Sequence, residues 1–201
     1  MVKKLIFTLT HIGAVSRHHY GNGSTGLLKF IYYSLVKLNT FIIYQCDLTK
    51  PLPQITLDKR FQILKPTLQE LNALRMGKAL PREFYSDRFH KVKTCYIALH
   101  GGDLAYIHWV YFNGDYSRFL RLRREVVEIN HVTTLPAFRG QHISAKMLVA
   151  TAKDLQEAGY KKLCVVVHKH TNAFIANLKY AQFSEVARIN VFGPFGKQIP
   201  V

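Results

Sequence analysis

Short apolar runs alternate along the chain with polar breaks, and the period of each run predicts an element. The stretch TCYIALHGGDLAYIHWVYF (94–112) holds two β-rich apolar segments around His100-Gly101-Gly102-Asp103. Paired glycines supply the positive φ angles of a tight turn, so two antiparallel strands are predicted there. REVVEINHVTT (124–134) reads as a third strand because it is rich in β-branched residues. Residues 141–158 carry Ile143, Leu148 and Leu155 among their apolar positions and meet Gly159 as a natural stop, which predicts a helix. KKLCVVVH (161–168) is the short unbroken apolar run of a strand buried on both faces. A helix over 172–181 and a final strand in SEVARINVFG (184–193) complete the C-terminal half. Upstream, TLQELNALRMGK (67–78) places Leu68, Leu71 and Leu74 at helical spacing.

Two segments interrupt the pattern. HHYGNGSTG (18–26) has the composition of a flexible loop, and Pro51 and Pro53 in DLTKPLPQ (47–54) forbid regular helix. The element order from residue 94 is hairpin, strand, helix, strand, helix, strand. The strand at 125–134, the helix at 141–158 and the strand at 162–168 form a crossover unit, which makes its two strands parallel. The fold class read from this order is α/β (α+β) with a mixed sheet. One domain over 1–201 is expected, with 1–53 as an N-terminal extension packed on a core of 54–201.

A chain of 201 residues suffices for one well-buried core. Charge is its unusual property: 28 Lys and Arg stand against 12 Asp and Glu, a formal net charge of +16. Such an excess draws polyanions, so nucleic acid, an anionic membrane, an acidic carrier protein and a phosphate-rich cofactor are all candidate partners. The densest basic cluster, RFLRLRR (118–124), could follow phosphates, and a non-catalytic nucleic-acid-binding module is the rival reading. Its interleaved Phe119, Leu120 and Leu122 read as partly buried, and no nucleic-acid motif accompanies it, which disfavours that partner.

Cys46, Cys95 and Cys164 are odd in number and contain no CxxC pair, so neither a disulfide framework nor a zinc ribbon is supported. Reduced thiols fit a cytoplasmic protein. His168 and His170, and His18 with His19, lack a clear third ligand, so no metal is expected. The apolar start MVKKLIFTLTHIGAVS is interrupted by His11 and has no small-residue cleavage site, which disfavours export. Lys29, Lys37, Asn39 and Gln45 make residues 27–46 a poor membrane span. That segment reads as a core element of a soluble domain, with peripheral contact at a membrane surface as its alternative.

The segment TTLPAFRGQHISAKML (133–148) carries the chemistry. A helix starting near Gly140–Gln141, just past a parallel strand, presents N–H groups without intrahelical partners at the positive end of its dipole. Such an end is a ready anion site, with Arg139 adding charge and Gly140 allowing close approach. The same loop could equally be plain strand-to-helix punctuation.

VTTLPAFRGQHISAKML resembles the cofactor segment of the GNAT superfamily of acyl-CoA-dependent N-acyltransferases. In that family a strand ending in apolar-x-Val-x-Pro leads into Arg/Gln-x-x-Gly-x-Gly/Ala and an apolar helix. Val132, Thr134, Pro136, Arg139, Gly140, Ile143 and Leu148 fall in register, and the resemblance runs from about Cys95 to Phe183. TNAFIANLKYAQF (171–183) is similar to the family's Asn-led helix. The chain departs from the pattern at His142, normally Gly, at Ser144, normally Gly or Ala, and at Gln182, normally Gly. The tyrosine that many members use as an acid falls on Leu178.

The resemblance implies a mostly antiparallel mixed sheet with a central, splayed parallel strand pair flanked by helices. It further implies an acyltransferase, most simply an N-acetyltransferase, that uses acetyl-CoA or another acyl-CoA without metal. A small-molecule primary amine would attack the thioester directly. A close variant would draw its acyl group from an acyl carrier protein. Backbone groups of Val132, Thr133 and Thr134 would pair with the pantetheine arm, and Asn172 would touch the cofactor near it. Amides from Gly140 through Gln141, His142 and Ile143 to Ser144 would hold the diphosphate beside Arg139. Glu128 and His131, on the strand leading to the site, are the candidate bases. Tyr180 is the candidate acid for the leaving thiolate, and His108 and Trp109 are candidates to line the acceptor pocket.

Overall fold

The computed structural model describes residues 24–32, 38–192 and 199–201. The chain forms two compact units, Met1–Thr40 with Ile189–Lys197 and Phe41–Arg188 with Gln198–Val201. In the first unit the described part includes helix α1 (Ser24–Ile31), on which Leu28 and Ile31 are exposed. Of the expected loop at 18–26, residues 24–26 open this helix instead. The remainder of that loop and the apolar start at 1–16 lie outside the described residues.

The expected element order from residue 94 is the order observed. Strands β1 (Leu38–Asp47), β2 (Phe61–Leu64), β3 (Thr94–His100), β4 (Asp103–Tyr111), β6 (Val126–Thr134), β7 (Lys162–His168) and β8 (Ser184–Phe192) form one seven-stranded sheet in the order β2-β3-β4-β6-β7-β1-β8. β3 and β4 are the predicted hairpin, with His100 opposite Asp103 and with Gly101 and Gly102 at φ +58° and +87°. β6 and β7 run parallel, while β2–β3, β3–β4, β4–β6 and β1–β7 are antiparallel. A short parallel pair, β5 (Leu120–Arg121) with β9 (Ile199–Pro200), forms a second sheet. β1 was not foreseen as a strand. The second half of the apolar segment 27–46 enters it, and Phe41–Asp47 pairs with His168–Lys162 of β7. Among the described residues no helix is long and apolar enough to cross a membrane.

Helices α2 (Leu68–Arg75), α3 (Ser86–His90), α4 (Ile143–Glu157) and α5 (Asn172–Tyr180) complete the main unit. α2 begins where the sequence predicts because Thr67 forms a capping box with Glu70. α4 starts two residues later than expected, at Ile143, because His142 and Gly140 both take positive φ. Its inward side, including Ala145, Met147, Leu148, Ala152 and Leu155, packs in one apolar cluster with Val127, Ile129, Leu163 and Val165 of the parallel pair. Burial of these side chains holds the sheet and helix together. The three cysteines are free and buried, as the thiol reading requires.

Candidate functional site

The parallel pair is laddered over only part of its length. Val126 to Ile129 pair with Lys162 to Val165, and there the register ends. β6 continues to Thr134 alongside β4, whereas β7 continues to His168 alongside β1. Each strand therefore keeps its outer neighbour while the two part from one another. The parting coincides with a bulge in β6. Ile107 faces Thr133 and Trp109 faces Asn130, so His131 and Val132 together oppose the single residue His108. His131 takes the left-handed conformation, at φ +50°. A bulge of this kind bends its strand and re-aims the side chains around it.

The gap is a cleft of about 440 Å³. One wall is β6 from Ile129 to Thr134, and the other is Val165 to His168 of β7. Arg139, Ser144, Thr171, Ala173, Phe174 and Asn177 close its upper end. Past Ile129 the β7-facing edge of β6 has no strand partner, so its main-chain groups are available to an extended ligand.

α4 points its N-terminus at this mouth. The first intrahelical bond runs from the Lys146 N–H to the His142 carbonyl at 3.2 Å, which leaves the amides of Ile143, Ser144 and Ala145 ahead of the ladder. The preceding loop needs left-handed backbone at Gly140 (φ +80°) and again at His142 (φ +54°). That second requirement explains why the resembling family places glycine where this chain has histidine. Histidine is among the residues that tolerate the conformation best. The exposed His142 ring lies 5.6 Å from that of Tyr180. Ser144 is buried, and its hydroxyl accepts a hydrogen bond from Asn177 Nδ2 at 2.9 Å, tying α4 to α5. Arg139 is exposed and folds back so that its Nε donates to the Thr134 carbonyl at 3.3 Å.

Of the residues expected from sequence, the cleft thus gathers His131, Val132, Thr133, Thr134, Arg139 and Ser144. Gly140, Gln141 and His142 form the exposed loop beside it, and Ile143 is buried in the core behind it. Asn172 is exposed at the start of α5 and outside the lining, where Asn177 one turn on is present. Tyr180 is exposed and also outside the lining. His108 and Trp109 do not line this cleft. Both are wholly buried, His108 between the Tyr106 hydroxyl at 2.9 Å and the Thr151 hydroxyl at 3.1 Å, and Trp109 donates to the Glu83 carbonyl at 2.7 Å. Burial drives the His108 imidazole down to about 3, so it is a neutral structural group. The lining from β7, with Asn130 and Asn177, was missed because periodicity marks a buried strand but not which strand separates from its neighbour.

Glu128 lies below the cleft, on the laddered part of β6 opposite Tyr111. It is fully buried, its Oε2 has no hydrogen-bond partner, and Asn130 Nδ2 donates to its Oε1 at 3.4 Å. Desolvation raises its carboxyl to about 7, and a hydrogen bond from Ser117 offsets part of that rise. His131 is moved the opposite way, to about 4, by burial and then by His90 and Arg82. Its ring stacks on that of His90 with centroids 4.3 Å apart. The basic cluster at 118–124 contributes nothing to this cleft. Phe119, Leu120 and Leu122 are buried, and Arg118 lies over the Phe41 and Phe119 rings.

No family profile and no curated protein matches the chain by sequence. Solved structures do match. A GCN5-related N-acetyltransferase from Sphaerobacter thermophilus superposes with a TM-score of 0.53 at 13% identity over 82% of this chain, which spans 54% of that protein. For a GCN5-related N-acetyltransferase from Kribbella flavida the values are 0.52 and 13% over 80% of this chain, which spans 60% of the other. A GNAT-family acetyltransferase from Colwellia psychrerythraea gives 0.55 and 14% over 92% of this chain and 71% of its own. The likeness is one of fold, at identities too low to carry a substrate across. The chain has the fold of the GCN5-related N-acetyltransferases.

Proposed function

We propose that the chain is an acyl-CoA-dependent N-acyltransferase, most simply an N-acetyltransferase, acting on a primary amine. One observation carries this reading: a parallel strand pair that opens after Ile129 and Val165, with the bare N-terminus of α4 at its mouth. The open edge of β6 from Val132 to Thr134 would pair with the amides of the pantetheine arm. The amides of Ile143, Ser144 and Ala145, the Gly140–His142 loop and Arg139 would take the diphosphate, since a helix N-terminus favours anions.

The reaction needs a neutral amine. Its nitrogen attacks the thioester carbonyl carbon, the carbon–sulfur bond breaks, and the thiolate leaves and is protonated. A main-chain N–H on the open edge of β6 would stabilise the developing oxyanion. Glu128 is the better base of the two candidates. A group near 7 is half ionised at neutral pH and still basic enough to take a proton, whereas His131 at about 4 is a weak base. Glu128 is set back from the cleft, so the proton would reach it through water held beside Asn130, which touches both. Tyr180, exposed outside the cleft, is the weaker candidate for the acid.

Thermal melting with coenzyme A tests the first half of this reading. Ligand at 100 times its Kd should raise the midpoint by about 5–10 °C. Release of free thiol from acetyl-CoA in the presence of a panel of amines tests the second half. No shift at saturating coenzyme A would remove the proposal.

A further inference from the structure

Beside His131, just outside the lining of the cleft, lies the segment between α2 and β3, where a 3-10 turn at Arg82–Tyr85 leads into α3. That turn packs against β4 and β6. α3 ends with His90, whose ring is stacked on His131, and His131 lines the cleft. Next to His90, the Phe89 ring carries the Arg82 guanidinium 4.5 Å from its centroid. Arg82 acts on both imidazoles, and the groups acting on His131 are His90 and Arg82, with no carboxylate among them.

Glu83, in the same turn as Arg82, forms no ion pair among the described residues and is not among the groups acting on either imidazole. The other acidic side chains nearby are used elsewhere. Asp87, on α3 itself, is bonded to Arg75 at 2.7 and 3.1 Å. Glu128 is buried behind Asn130 and does not act on either imidazole. Among the described residues Arg82 has no carboxylate within ion-pair distance. A guanidinium held on an aromatic face, with its donors unspent, suits a planar or tetrahedral oxyanion. A polycationic amine would be repelled there, and a neutral one would gain nothing.

We propose that the acceptor is a small primary amine bearing a carboxylate or phosphate, with that anionic group seated on Arg82 and His90 and the amine directed past His131 into the cleft. This rests on the acyltransferase reading and names its substrate class. The His131 imidazole serves as a neutral hydrogen-bonding wall between the anion seat and the cleft, because burial, then His90 and Arg82, hold its proton off.

The test uses matched amines with the acetyl-CoA-saturated protein: β-alanine against 3-aminopropanol, glucosamine 6-phosphate against glucosamine, and spermidine as the polycation. Each anionic amine should exceed its neutral counterpart in kcat/KM by about tenfold or more, as a charge-assisted contact provides. The better of the two anionic amines distinguishes carboxylate from phosphate. Arg82→Ala should raise KM for the favoured acceptor about tenfold, leave KM for acetyl-CoA and the rate with the neutral counterpart unchanged, and be partly rescued in Arg82→Lys. In parallel, the His90 and His131 imidazole resonances of the coenzyme A complex should respond to the anionic amines at lower concentration than to the neutral ones. Equal use of neutral or cationic amines, an Arg82→Ala defect shared by both classes, or imidazole resonances that do not discriminate would overturn the proposal. Coenzyme A melting shifts separate the failures. A shift without discrimination removes only the anionic acceptor, and no shift removes the acyltransferase reading with it.

Discussion

The two halves of the β6–β7 pair have similar sequences and opposite jobs. In the lower half, Val126–Ile129 and Lys162–Val165 are laddered, and Val127, Ile129, Leu163 and Val165 are buried against α4. In the upper half, Val132–Thr134 and Val166–His168 are as β-branched as the residues below them, yet they stand apart and are only partly buried, apart from Val167. Side-chain type does not account for the change. It comes from outside the pair: β6 is bent by the bulge opposite His108 while β7 remains registered with β1. The lower half is where stability resides, and the upper half is where a ligand finds unpaired backbone.

The comparison is broken most directly by truncation in the closed half. Ile129→Ala should cost about 2–5 kcal/mol through lost burial and a cavity, whereas Thr133→Ala in the open half should stay within about 0.5 kcal/mol in chemical denaturation. Equal costs would mean that the two halves are packed alike.

Glu128 sits at the boundary, and Glu128→Gln sharpens the distinction. Turnover should fall about 100-fold with KM for acetyl-CoA unchanged, and the rise of kcat through pH 7 should disappear. Stability should move the other way. The folded carboxyl titrates near 7, above the unfolded value of about 4.3. Its contribution is therefore full below about pH 4 and is lost as pH rises to 7. Thermal melts should show the Glu128→Gln variant at least as stable as the parent at pH 8, with the difference shrinking at pH 5.

The smallest effect is expected at Gly140. A side chain there would meet no atom within 4 Å, so Gly140→Val suffers only the strain of φ +80°, about 1–2 kcal/mol. If the loop holds a diphosphate, the same substitution should raise KM for acetyl-CoA about tenfold, because the backbone can no longer approach it. An unchanged KM would leave the loop as plain punctuation between strand and helix.

Much of this architecture is legible from local pattern. The Gly101–Gly102 hairpin, the unbroken apolar run of β7, the inward stripe of α4 and the parallel crossover each follow from one stretch of chain. So does the cofactor-like segment around Arg139, whose departure at His142 proves to sit at the one further position in the loop that needs left-handed backbone. Less legible were β1, whose unbroken apolar run between Thr40 and Gln45 shows no strand alternation, and the start of α4, which two positive-φ residues delay.

The amino-acid order by itself determined the main strands and helices from residue 94 on, that β6 and β7 run parallel, and that a helix N-terminus follows β6, because these depend on side-chain period and short-range chain geometry. Tertiary structure alone decided where that pair separates, that His108 is locked in the core while His131 faces the cleft, and that Arg82 and His90 join His131 from some forty to fifty residues upstream. Those outcomes turn on register, bulge and desolvation. Each is a sum over neighbours far apart in the chain, and no local pattern carries it.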